Sequence, residues 1–545
     1  MDYKNQSLIN EILDFFWQDS PISATFMGIH KFDSEIDLYD KESRQKSLSI
    51  KESFYNRLQE ALNQYDLSND EQIDLALLKN NIYVDIEFTK NHQKTLRDAT
   101  VYPQIALSGC FILMIRDFAP IEERSRNLLA RLKKLPRLMQ EGKDNLSQGT
   151  NVPQVWTEMG IEVTESGLQF FQQAVPAFAV KIPELKDELI IACNEAVVAF
   201  EQYLTFLKEE LLPRSDGSFA LGQTLFQLLL DKEHMLPYTT EKLLELGYEQ
   251  IQETQEKLYK IGRLINSTVS WKTLVKECKT EHPESVELIN TYKNQMEECL
   301  EFIQRKELVS IPENQTLSVT ETPAFERHTI PYAAYLPPAP FEDRQEGLFW
   351  VTPVNTQLSP EQQEEQLKGH SNFSIPITAA HEGYPGHHLQ FSHANKNSSL
   401  IRRILGTNVF IEGWALYCEE LMWEQGFYTD PKTRLLQLKD ILWRACRVVI
   451  DVQLHTGEMT IDDAVKMLVE TALLEKENAV SEVRRYSQSP TQPMSYLAGK
   501  LAILDLRNEY KKVKGEQFNL KEFHDRLLSF GSLPIQLIRD QLLKN

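Results

Sequence analysis

Seven prolines, at positions 312, 323, 331, 337, 338, 340 and 353, fall between residues 309 and 355 and exclude any long helix there. On both sides of that block the apolar residues recur at helical spacing instead. Leu8, Ile9, Ile12, Leu13 and Phe16 do so near the start, until residues 21–30 interrupt the pattern with helix breakers. His30, alone among apolar neighbours, reads as a hydrogen-bonded structural histidine. Residues 120–212 read as several long helices. There Leu128, Leu129, Leu132, Leu135, Leu138 and Met139 form one apolar stripe, with Pro136 marking a kink or a boundary. Residues 241–247 read as a helix ending near Gly247, followed by a long charged helix through Lys260. Inside the proline block, Leu317-Ser318-Val319-Thr320 and Leu348-Phe349-Trp350-Val351 are β-prone and predict a small sheet. The aromatics Phe325, Tyr332, Tyr335, Phe341, Phe349 and Trp350 gather there, as an edge for an extended peptide or as core filler. Helix resumes at about Glu361. The fold class is mainly α with one small β element.

Bulk properties narrow the function without naming it. The formal charge of −21 over 545 residues argues against a nucleic-acid partner, which would require a basic surface. The first residues lack the basic-then-apolar order of a signal peptide, and no uninterrupted apolar run approaches the ~20 residues of a membrane span. Six widely spaced cysteines form no C-x-x-C pair, which suggests reduced, buried thiols. The expectation is an acidic cytoplasmic protein with no membrane partner.

Chemistry concentrates in Ile377-Thr378-Ala379-Ala380-His381-Glu382-Gly383-Tyr384-Pro385-Gly386-His387-His388, three imidazoles and a carboxylate in a chain with twelve histidines. The zincin signature H-E-x-x-H places two His one helical turn apart to bind Zn²⁺, with the Glu as general base. Here Pro385 stands where the second His would be. On a regular helix His388, seven residues after His381, returns to the same face and His387 does not. Pro385-Gly386 makes a regular helix untenable, and a broken turn would swing His387 round instead. Spacing leaves both histidines open. Glu412 follows in an apolar helical run beside Phe410, Ile411 and Trp414, where a carboxylate is costly unless paired or metal-bound. It lies 412 − 381 = 31 positions after His381, a separation suited to a third zinc ligand. Glu419, two turns further along the same side, is placed to support the ligands from behind.

These residues carry a resemblance. His381-Glu382-Gly383-Tyr384-Pro385-Gly386-His387 and Glu412-Gly413-Trp414-Ala415-Leu416-Tyr417 resemble the bacterial family labelled domain of unknown function 885. So do the run from Arg447 to His455, Arg485-Tyr486 with Pro490, Gln492, Tyr496 and Gly499, and Ala24-Thr25-Phe26-Met27-Gly28. The likeness covers nearly the whole chain. It implies a large, mainly helical, gluzincin-like metallohydrolase fold, similar in plan to the oligopeptidases and angiotensin-converting enzyme, with a small sheet beside the active-site helix. It also implies His387, rather than His388, as the second metal ligand.

The expected organisation is an N-terminal helical region, 1–308, and a metal-binding catalytic region, 309–545, integrated as one domain. The catalytic region holds the sheet at 309–355, the motif helix at 377–396 and the Glu412 helix. The expected activity is zinc-dependent hydrolysis of peptide or related amide bonds in short substrates. Zn²⁺ would sit on His381, His387 and Glu412, with Glu382 as general base. His455 and Tyr496 are candidate donors to the oxyanion, and Arg485 a candidate clamp for a substrate carboxylate. Each has a plainer reading as a buried hydrogen-bonding residue, Arg485 by pairing with Glu482. His370 and His393 read as surface or supporting residues. The alternatives are a metal-dependent hydrolase of a specialised small amide or metabolite, and a non-catalytic binding protein that retains the fold.

Overall fold

The computed structural model describes residues 4–64, 66–323, 327, 330 and 332–544, so Phe325 and Pro331 lie outside the described residues. It is mainly helical with one three-stranded sheet among the described residues. Contacts divide the chain into two compact units, residues 1–219 with 339–343, and residues 220–338 with 344–545.

Among the described residues the first unit is built of helices, with one isolated bridge between Pro153 and Gly217. Pro21, read above as part of an interruption, instead opens the short helix Pro21–Met27, and Gly28 closes it with φ +87°. Proline fits a first turn, where its missing donor has no partner to lose, so these breakers set helix ends rather than break a helix. Pro136 acts likewise. The leucine stripe divides into helices Ile121–Leu132 and Leu135–Gln148, with Pro136 in the first turn of the second, and both bury their leucines. His30 is the structural histidine expected, with Nδ1 3.0 Å from Asp33 and its ring stacked on Phe118. The stretch 186–214 alone among the described residues is long and apolar enough to cross a membrane. It buries Leu189, Cys193, Phe200 and Tyr203 within this unit.

The second unit carries the motif. Its relevant helices, in chain order, are α1 Thr240–Ile265, α2 Leu288–Arg305, α3 Ile375–Glu382, α4 His387–Ala394, α5 Asn408–Glu424, α6 Pro431–Thr456, α7 Lys476–Gln488 and α8 Gln492–Lys514. The helix expected to stop at Gly247 runs on to Ile265. Gly247 lies buried against Val448 and Val449 of α6, so it is a packing contact and not a cap. The sheet comprises β1 Gln315–Glu321, β2 Ala333–Leu336 and β3 Gln345–Val351, in the order β1-β3-β2. β1 runs parallel to β3 and β2 antiparallel to it, with Val319 and Tyr335 both paired to Phe349. Phe349 is buried against Tyr292 of α2, which makes it core, whereas Tyr332 remains partly exposed. Phe341 belongs to the first unit, where it meets Trp17 edge-on. All six cysteines are buried and unpaired.

Helices α5 and α8 cross with their backbones almost in contact. A β-carbon on Gly499 would lie 1.8 Å from the Val409 carbonyl oxygen, and one on Gly413 would lie 2.5 Å from Gly499. Beside this crossing Glu420 of α5 accepts from Lys500 of α8 (3.0 Å) and from both terminal nitrogens of Arg434 on α6 (3.0 and 2.8 Å). Burial alone would raise this carboxyl, but the two cations outweigh it and hold it at about 2. The crossing admits no side chain at either glycine. Gly499→Ala is therefore expected to cost ~2 kcal/mol or more in thermal or denaturant unfolding, because backbone must move to relieve the clash. A melting curve matching the unaltered protein would contradict this packing.

Candidate metal centre

The motif forms two helices rather than one. α3 ends at Glu382, residues 383–386 make a sharp connection, and α4 begins at His387. Gly386 is required by close approach, since a β-carbon there would lie 1.9 Å from the His381 carbonyl oxygen. Trp414 of α5 fastens the connection by donating from Nε1 to the Pro385 carbonyl (2.9 Å). This break turns His387 back toward His381, with their ring centroids 4.9 Å apart and nearly perpendicular.

His388 goes elsewhere. Its Nδ1 lies 3.0 Å from the Tyr335 hydroxyl on β2, and its Nε2 faces the Gln315 amide oxygen on β1. Burial lowers it to about 4, so the ring is neutral and serves to dock α4 on the sheet.

Glu412 completes a cluster with His381 and His387 in which one donor atom from each lies within 4.8 Å of the others. Glu412 Oε2 is 3.4 Å from His387 Nε2 and 3.9 Å from His381 Nε2. Donors held at Zn–N and Zn–O lengths in a tetrahedron stand about 3.4 Å apart, so these spacings fit one ion. Glu412 Oε2 and His387 Nδ1 are buried without a hydrogen-bond partner among the described residues. An unsatisfied carboxylate oxygen between two imidazoles is costly unless a cation lies there. Two imidazoles and one carboxylate suit zinc and leave a fourth position for water. The residues present therefore fit the ion.

The surroundings orient these donors. His381 Nδ1 lies 2.8 Å from Glu419 Oε1. A carboxylate can only accept, so Nδ1 carries the proton and the Nε2 lone pair faces the cluster. Burial would raise the Glu412 carboxyl, but the two histidines and the Tyr496 hydroxyl outweigh it and hold it at about 2. Burial and the Glu412 charge push the Tyr496 phenol up to about 12, leaving it a protonated donor at neutral pH. The Tyr496 ring stacks on His381 at 6.2 Å. Glu382, the last residue of α3, is partly exposed, and its charge acts on both His387 and Tyr292.

The other candidates separate. Arg485 is held by Glu482 (2.9 Å) and by the Gln492 side-chain oxygen (3.0 Å). Its link to the cluster runs through Gln492, whose amide donates to Glu412 Oε1 (3.2 Å). His455 is not one of the three clustered donors. It lies eight residues beyond Arg447 on α6, about 12 Å along the axis, where Nε2 donates to the Tyr486 carbonyl (3.0 Å). His370 is buried, not on the surface, with Nδ1 3.1 Å from the Tyr292 hydroxyl, while His393 donates to the Ser310 carbonyl (2.8 Å).

One positioning residue escaped the sequence reading. Buried His234 lies 2.6 Å from the Thr407 hydroxyl and 2.8 Å from the Thr491 hydroxyl, the residues that precede α5 and α8. It ties together the starts of the helices that bear Glu412 and Tyr496. Asp451 of α6 adds to this by accepting from the backbone of Thr491 (3.1 Å) and Met494 (3.0 Å). The partners of His234 lie 173 and 257 residues away, so no local pattern signals it.

The chain belongs to the family described as bacterial protein of unknown function (DUF885), whose model matches residues 21–542. No curated protein matches it. Two solved structures are similar over nearly the full length. One is described as "a putative lipoprotein of unknown function" from Shewanella oneidensis, 25% identical with a TM-score of 0.81, covering 98% of this chain and 99% of that one. The other is "the putative lipoprotein from Colwellia psychrerythraea", 19% identical with a TM-score of 0.84, covering 98% and 97%. Both are described with the words "putative lipoprotein", and this overturns the cytoplasmic location expected above.

The two neighbouring histidines give a sharp contrast. His387→Ala is expected to lower bound zinc at least tenfold in metal analysis, whereas His388→Ala keeps it and loses stability instead. Equal zinc loss in both variants would contradict the division of roles.

Proposed function

We propose that this chain is a zinc-dependent hydrolase of peptide or related amide bonds in short substrates, on a gluzincin-like helical fold. The observation that carries the reading is the convergence of His381, His387 and Glu412, with Glu419 behind one ligand and Glu382 next to it in sequence. A binding or structural role alone has no need of a base set beside three oriented donors.

In this reading His381, His387 and Glu412 hold the metal, which when bound supplies Lewis acidity toward water and a carbonyl oxygen. Glu419 keeps His381 in the tautomer that presents Nε2. Glu382 takes a proton from the attacking water and returns it to the departing amine. Tyr496, protonated at neutral pH, donates to the oxygen on which negative charge develops. Gln492 steadies Glu412 and the Tyr496 hydroxyl together, with Nε2 3.2 and 3.3 Å from them. His455 has no part in these steps.

Glu382→Gln separates binding from chemistry. Against a library of short peptides it should retain the metal and lose turnover by ~10²–10⁴-fold, the usual contribution of a positioned base. Full turnover with the metal still bound would remove Glu382 from the mechanism.

A further inference from the structure

Besides His381, the Tyr496 ring meets two arginines of α6. The guanidinium carbons of Arg447 and Arg444 lie 4.7 and 5.7 Å from its centroid, and 4.4 and 4.7 Å from that of Trp443. Two cations thus share an aromatic wall that ends at the metal ligands.

The two are not equally satisfied. Arg447 donates from Nε to the Tyr486 hydroxyl (2.6 Å) and from Nη2 to Glu482 (2.7 Å). Among the described residues the polar contacts of Arg444 are long ones with Asp440, 3.4 Å to its carbonyl and 3.7 Å to its carboxylate, which also takes Lys439 at 3.1 Å. Its Nε is buried with no hydrogen-bond partner among the described residues. A buried donor left unpaired is costly, more so on a charged group, and an anion that supplies the acceptor recovers that cost. The ring centroids of Trp443 and Tyr496 lie 4.7 and 5.7 Å from the guanidinium carbon, and a guanidinium matches a planar carboxylate in two-pronged fashion.

We infer that Arg444, with Arg447 beside it, is an anion subsite that takes the free C-terminal carboxylate of a short peptide. The inference rests on the hydrolase reading for the position of the scissile bond at His381, His387 and Glu412. One phenol ring separates the arginines from that cluster, and an extended chain advances ~3.4 Å per residue. The carboxylate therefore belongs one or two residues beyond the bond that is cut. Water adds its oxygen to the carbonyl carbon, the C–N bond breaks, and the amine leaves with a proton. The products are a shortened peptide acid and a free amino acid or dipeptide.

Calorimetry on the full chain bearing Glu382→Gln, which spares the probe, tests this with acetyl-trialanine, its C-terminal amide, and an amidated peptide ending in glutamate. The free acid should bind about tenfold or more tightly than either amide. Adding Arg444→Gln should abolish that preference, and Arg444→Lys should keep only part of it. Equal binding of acid and amide, or an unchanged preference in Arg444→Gln, would overturn the subsite. Tight binding of the glutamate amide would overturn its assignment to the C-terminus. Should Arg444→Gln fail to fold, a full preference in Arg444→Lys overturns it and a reduced one upholds it. Preference for the free acid without hydrolysis by the unaltered chain would uphold the subsite and refute the hydrolase reading.

Discussion

The crossing of α5 and α8 at Gly413 and Gly499 is the constraint on which the candidate centre depends. Glu412 is the neighbour of one glycine, and Tyr496 stands three residues before the other, so the closest backbone approach sets their separation. Any side chain at the crossing would part the helices and carry these two groups away from each other. His234 fixes the helix starts, and Glu420 with Lys500 and Arg434 fixes the crossing on its far side. The precision of the centre thus comes from helix packing rather than from a loop.

A second constraint is electrostatic. Several carboxylates converge near His381 and His387, and like charges so placed need a cation or protons among them. The protein settles part of this internally: Glu419 is bound to His381, and Gln492 donates to the Oε1 oxygen of Glu412. What remains is an unpaired carboxylate oxygen facing two imidazole nitrogens, which is the donor set a divalent zinc ion prefers.

Much of this was legible in the sequence, and the reasons differ by residue. The β-prone runs at 317–320 and 348–351, in a block whose prolines exclude long helices, predicted a small sheet, and three strands lie there among the described residues. His381, Glu382 and Glu412 stood out because charged groups in apolar runs demand a reason. The choice between His387 and His388 was not legible from spacing, because it depends on the path of four residues through Gly386 and on what the sheet offers His388. Gly247 was misread as a helix end, and Pro21 opens a short helix inside the stretch read as an interruption. Proline at a first turn and glycine at a helix contact satisfy the same local rules as breakers, and only tertiary context separates them. His455 was selected for its place in a patterned run, but helical geometry carries it about 12 Å past Arg447. His234 left no local trace, since both its partners are remote in the chain. The location inferred from bulk composition failed for a simpler reason: charge and cysteine spacing do not report the compartment in which a chain works.

The central claim is that His381, His387 and Glu412 share one metal ion. Anomalous diffraction from crystals of the full chain, recorded on both sides of the zinc absorption edge after growth with zinc, tests it most directly. A single peak about 2.0–2.1 Å from Nε2 of both histidines and from a Glu412 oxygen is the predicted result. Density lacking such a peak there, or a peak held by His388 in place of His387, would contradict it.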